Sequence, residues 1–164
     1  MDINKLEYSR WILERNLHWI SVIEAKTGVI VSIDTAMLGA LAVAFGGLAP
    51  SERSAWAIVA GLCAALPLAV AIGYGALAVW PQIKGPPKSF IFFGKIKKRS
   101  VEEYRDDFMG ASNESLLDDC LQQIHRNAEI ACEKYDRVTS SMKLSFGALI
   151  PWVAALAVFV AAKH

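Results

Sequence analysis

The chain has 164 residues, 54% of them hydrophobic and 20% charged, with a formal net charge of +1 at neutral pH. That length suits one domain or one small bundle, and the near-neutral balance makes no case for a nucleic-acid binder or an enzyme of acidic substrates. Its three cysteines form no Cys-x-x-Cys pair and no Cys/His cluster, which argues against a disulfide scaffold and a metal site and fits a reducing, cytoplasm-facing location.

The first 28 residues are too charged for a secretory signal peptide. They read as an amphipathic helix with an apolar seam of Ile3, Leu6, Leu13, Leu17 and Ile20, Arg10 and Glu24 taking its remaining places. Nothing breaks this helix before the apolar run 29–49, which carries one charge, Asp34. At 1.5 Å per residue Asp34 lies about 7 Å beyond Val29 along a helix. A carboxylate at that depth calls for a partner, a neighbouring helix or water; lining a pore and snorkelling to the interface both remain open.

The short Pro-Ser-Glu-Arg link at 50–53 leads to a second apolar run, 54–80, free of charge. Pro67 removes a helical hydrogen bond inside it and predicts a kink. Small residues recur every fourth position at Ala57, Gly61, Ala65, Ala69 and Gly73, with a shorter row at Ala36, Ala40 and Ala44 in the first run. Such rows permit close backbone approach in lipid and are expected to form contact faces.

Residues 81–144 are polar. Gly85-Pro86-Pro87 cannot be helical. The stretch from Ser89 to Arg99 joins an aromatic, strand-prone SFIFFG to a basic KIKKR. It suits a phosphate-binding or nucleic-acid patch with aromatic stacking, or an interfacial belt whose phenylalanines enter the headgroup region while lysines meet anionic lipid. Ser100 and Glu103 make a capping box for a short helix. Beyond Ser115, the residues Leu117, Leu121, Ile124, Ala128, Ala131, Tyr135, Val138 and Met142 alternate steps of four and three, with Asp118, Asp119, Arg126, Glu129 and Lys134 off the seam. That heptad pattern runs unbroken into a third apolar stretch, 145–162, which contains Pro151.

A hydrocarbon core about 30 Å thick needs roughly 20 helical residues, so each apolar stretch can span it. Four Lys/Arg precede the first span, one lies at the hairpin tip, eleven fall in 81–144 and one follows the third span. The positive-inside rule then puts the N-terminal arm and the 81–144 segment in the cytoplasm. The predicted fold is an all-α membrane protein: three transmembrane helices with long cytoplasmic helical extensions forming a coiled-coil-like bundle. No catalytic or metal site is legible. No glycine-rich phosphate loop is present, His18, His125 and His164 are scattered, and the adjacent pairs Glu102–Glu103, Asp106–Asp107 and Asp118–Asp119 read as solvated helix faces.

The run HWISVIEAKTGVIVSIDTAMLGAL, the proline-bearing exit from the second span with KSFIFFGKIKKRSVEEY, and LLDDCLQQIHRNAEIACEKYDRV before the last span together resemble the Pycsar effector protein domain family over nearly the whole chain. Here the membrane entry reads Glu-Ala-Lys where the commoner family form reads Ala-Asp-Thr-Lys. The resemblance implies a small bacterial inner-membrane effector of anti-phage defence, without cofactor or nucleic-acid partner. It also implies activation by a cyclic pyrimidine mononucleotide (cyclic CMP or cyclic UMP) from a partner cyclase, and assembly as a homo-oligomer. The polar positions that carry over are Glu24, Lys26, Tyr104, Gln123, Lys134 and Tyr135, as ligand-binding candidates. An adaptor that recruits a cytoplasmic protein through its long helices is the alternative.

Overall fold

The computed structural model of the chain describes residues 3–83 and 85–163, without the side chains of residues 3 and 4. The side chain of the predicted seam residue Ile3 and the histidine at 164 therefore lie outside what is described. Five α-helices follow in order: α1 (Ile3–Gly46), α2 (Ala55–Val79), α3 (Phe93–Ile96), α4 (Val101–Met109) and α5 (Asn113–Ala161), with a 3-10 turn at Pro50–Glu52. No strand occurs among the described residues: the strand-prone SFIFFG forms a turn over 89–92 and its last two residues begin the short α3. Three helices are long and apolar enough to cross a membrane: Lys5–Gly46, Ala55–Val79 and Asn113–Ala161. α1 and α5 run 44 and 49 residues without interruption, because no breaker separates their polar halves from their apolar ones. Pro67 and Pro151 lie inside α2 and α5, and each helix continues through its proline.

The chain divides into two compact units, one of residues 1–22 and 81–133, the other of residues 23–80 and 134–164. In the second, burial repeats every seven residues on all three helices. The rows are Thr27, Asp34 and Leu41 on α1, continued by Leu48 just past its end; Ala57, Ala64, Ala71 and Ala78 on α2; and Lys134, Ser141, Ala148 and Ala155 on α5. The apolar end of these rows forms the core with Leu68 and Phe159. At the polar end, Ser141 Oγ donates to Ala71 O at 2.8 Å and Thr27 Oγ1 to Ile23 O at 2.7 Å. Trp152 Nε1 also donates to Met37 O, at 3.0 Å.

The four-residue row of small residues predicted on α2 does not form one contact face. Ala57 is buried, Gly61 and Ala65 are half-buried, and Ala69 and Gly73 are exposed. At 3.6 residues per turn, steps of four advance about 40° too far each time and carry the row off the interface. Ala36 and Ala40 of the first-span row are likewise exposed. The close approach occurs at Gly75, where a Cβ would run into the Val31 side chain. Val31 is β-branched and cannot easily turn aside. Gly75→Ala is therefore expected to lower stability by about 1–2 kcal/mol, overpacking outweighing the helix-propensity gain. Unfolding by sodium dodecyl sulfate in mixed micelles measures it.

In the first unit α1 buries Ser9, Leu13 and Asn16, and α5 buries Asp119, Cys120, Gln123 and Ile130. Both stripes match the predicted seams only in part: Leu13 on α1 and Val138 on α5 are buried as predicted. On α5, Leu121 and Tyr135 are 49% and 64% exposed, while Cys120 and Lys134 are 1% and 3% exposed, so the buried stripe runs one residue earlier. On α1, Leu17 is exposed and Asn16 is buried, its Nδ2 donating to Ile124 O at 3.2 Å. The heptad period holds, and its phase shifts over part of each helix. Polar side chains with hydrogen-bond partners share the interior with Leu13, Cys120 and Ile130.

Candidate functional site

The site is built on residues 88–92. Ser89, 2% exposed, accepts bonds from the Ile91 and Phe92 amides at 3.1 and 2.9 Å, a turn held by its own hydroxyl. Gln123 Nε2 donates to the same Ser89 Oγ at 2.9 Å. Asp119 Oδ2 accepts from the Phe90 amide at 2.7 Å, and Tyr104 OH donates to Phe90 O at 2.8 Å. Three side chains from α4 and α5 thus fix one short loop. The capping box of Ser100 and Glu103 starts α4 and positions Tyr104 on its first turn.

The pinned loop carries Phe90. The Arg99 guanidinium lies 5.5 Å over its ring, and Phe108 meets it edge-on at 5.9 Å. Beside them is an open cavity of about 590 Å³ lined by Lys88, Phe90, Arg99, Asp107, Asp118 and Asp119, among others. That size falls in the usual range for small-molecule sites, about 300–1,000 Å³. Arg99 Nη1 lies 3.7 Å from Asp107 Oδ2, and neither Arg99 Nη1 nor Asp119 Oδ1 has a hydrogen-bond partner among the described residues. The wall therefore offers a rigid cation, a second cation at Lys88, an aromatic face and carboxylate acceptors. A purely anionic ligand would meet repulsion from the aspartates. A ligand with an anionic group at one end and N–H or O–H donors at the other would satisfy both signs.

The predicted residues fall into separate groups. Tyr104 and Gln123 converge on the loop, as supports of the cavity wall. Glu24 and Lys134 pair in the second unit: Lys134 Nζ donates to Glu24 Oε1 at 2.9 Å and to Ala78 O at 2.6 Å. Arg137 Nη1 donates to Leu77 O at 2.9 Å, so two cations of α5 cap the C-terminal carbonyls of α2, where the helix dipole favours positive charge. Lys26 and Tyr135 are exposed and join neither group. Asp34, 1% exposed, accepts from Ser145 Oγ at 2.8 Å beside a small apolar cavity of about 130 Å³ that includes Met37 and Met142.

Sequence reasoning missed Arg99, Phe90 and Asp119. Arg99 was read as one of a run of cations, and Asp118–Asp119 as a solvated pair. The structure corrects the second reading: Asp118 is exposed, but Asp119 is 5% exposed and holds a backbone amide. The available signal was helical spacing, since Asp119 and Gln123 are one turn apart and share a face. Asp119→Ala is expected to leave the Phe90 amide without its acceptor, at a cost of about 1–3 kcal/mol. Amide hydrogen exchange at residues 89–92 would quicken while that of the second unit stays as it was.

Three long apolar helices, two of them continuous with a helical unit that holds a polar cavity, define a helical membrane protein with a ligand-sized site in its polar part. The chain matches the family model for the Pycsar effector protein domain over residues 8–161, and it belongs to that family of anti-phage defence effectors. It is similar to the Pycsar effector protein PtPycTM of Propioniciclava tarda, with 26% identity over 143 residues, covering 82% of this chain and 70% of that protein. No solved structure matches it. Among the described residues no group of histidine, cysteine and carboxylate side chains is placed to hold a metal ion.

Proposed function

We propose that the protein is a bacterial membrane effector activated by a cyclic pyrimidine mononucleotide, cyclic CMP or cyclic UMP, made by a partner cyclase, and that the activated form impairs the inner membrane. The observation that carries the binding part is the mixed-sign cavity around Arg99. A cyclic nucleotide has the chemistry that cavity asks for: one phosphate anion, for Arg99 and Lys88; a ring, for the Phe90 face; and ribose or base donors, for the aspartates. The protein acts by changing shape and catalyses nothing. Phosphate would draw Arg99 from Asp107, and the pinned loop would pass the change to α5 through Asp119 and Gln123. Because α5 is continuous from Asn113 to Ala161, a shift in its packing reaches the apolar half through backbone alone.

The spans are assigned to 29–49, 54–80 and 145–162, with the N-terminal arm and residues 81–144 in the cytoplasm. In this reading Glu24 and Lys134 hold the resting packing, and the exposed Lys26 and Tyr135 are open to a ligand where copies of the chain meet. The test is leakage from dye-loaded liposomes containing the purified protein. Cyclic CMP or cyclic UMP should raise leakage, and no response to either, from correctly inserted protein, overturns direct gating. A second reading, an adaptor for a cytoplasmic protein, is favoured by the exposed aromatic face of Tyr8, Trp11 and Trp19, 60%, 53% and 53% exposed. Capture of one partner without a permeability change would support it.

A further inference from the structure

The stretch between Lys88 and Arg99 contains five cations and no carboxylate. Its two ends turn to the cavity, where Lys88, Phe90 and Arg99 line the wall. The middle does not. Ile91 and Phe93 are 48% and 66% exposed, and Lys97 and Lys98 are exposed beside them. Phe93 and Lys97 are four residues apart through α3 and share one face.

This exposure is built in. The Ser89 turn fixes the entry, and the Phe92 ring packs so closely on the backbones of Gly85 and Gly94 that a Cβ at either would run into it. With Phe92 held there, its neighbour Phe93 is set outward. Two large exposed apolar side chains followed by exposed lysines are the composition of a surface that enters a headgroup layer.

We infer that residues 91–98 dock on the anionic surface of the bilayer that the chain spans. Charge and tether favour this occupant. Phe93 follows the end of α2 at Val79 by fourteen residues, which limits its reach to about 50 Å from that end. A long polyanion such as RNA would also meet residues 101–133, which hold nine carboxylates against two Lys/Arg. A lipid surface engages the basic loop alone. The docked loop then presents one side to lipid while its ends form the cavity wall.

The test uses the full chain with Cys63, Cys120 and Cys132 changed to serine, Phe93→Cys, and an environment-sensitive fluorophore on the new thiol. The chain is placed in nanodiscs of phosphatidylcholine alone or with phosphatidylglycerol. Docking predicts blue-shifted emission in the anionic discs, with the seated-to-free ratio falling about fivefold for each of Lys97→Gln and Lys98→Gln. Emission that is the same in both lipids, or indifferent to the lysines, overturns the inference. So does a blue shift produced by a single-stranded RNA oligomer and not by phosphatidylglycerol. Amide exchange of residues 91–98 in the unaltered chain, in the same two discs, reads the same outcomes should the substituted chain not fold. Cavity residues are untouched, so nucleotide binding tests the proposed function separately.

Discussion

Lys134→Met is expected to lower the unfolding free energy of the protein in mixed micelles by about 3 kcal/mol. Methionine replaces most of the apolar stem, so little packing is lost, and the effect isolates the ammonium group. That group is held among protein atoms, with Lys134 only 3% exposed and its nitrogen bonded to Glu24 and Ala78 O. Removing it leaves the Ala78 carbonyl without its donor at the end of α2. Glu24 loses its partner too, but its side chain is 44% exposed and recovers water. Glu24→Gln is accordingly expected to cost less than Lys134→Met, since an amide oxygen still accepts the bond from Lys134 and the ammonium keeps Ala78 O. Arg137 still serves Leu77 O, so α2 is loosened and not released. A loss below 1 kcal/mol for Lys134→Met would show that the cap is not a stabilising element. If the pair also holds the resting packing, liposomes carrying Lys134→Met leak dye with no nucleotide added.

Arg99→Ala is expected to weaken cyclic CMP or cyclic UMP binding by about 10- to 150-fold, the range for losing hydrogen bonds to a charged group. Isothermal titration in nanodiscs measures it. Stability should fall by about 1 kcal/mol or less, since what is lost to the fold is one cation–π contact with Phe90 and a long ion pair with Asp107. Lys88→Ala is expected to cost only a few-fold, because that lysine is exposed and its field is screened. If Arg99→Ala binds nucleotide as the parent does, the cavity is not the site, and the ligand must be sought at Glu24, Lys26, Lys134 and Tyr135.

The boundaries of α2 and α4 were readable because local chemistry sets them. Ser54 caps the first at Ala57 N, Ser100 and Glu103 cap the second, and Pro81 follows the last turn of α2. The heptad period on α1 and α5 was readable from the apolar spacing. Its phase was readable only in part: Leu13 and Val138 are buried as the spacing predicts, while Leu17, Leu121 and Tyr135 are exposed and Asn16, Cys120 and Lys134 are buried in their place. Asn16, Gln123 and Lys134 are buried because each finds a bond to another segment: Asn16 to Ile124 O, Gln123 to Ser89, and Lys134 to Ala78 O. Such partners lie from 34 to 108 residues away, and no local pattern announces them.

By itself, then, the sequence determined the length and apolarity of three helices, the continuity of two of them, the capping box of α4, and the family. Those depend on runs of residues, on the absence of breakers, and on side chains within one turn of each other. Only the tertiary structure decided which face of α5 is buried, that Lys134 closes the end of α2, and that Arg99, Phe90 and Asp119 meet at a cavity. These depend on the desolvation of polar groups by distant segments, which rewards the right partner in space and not the most hydrophobic stripe.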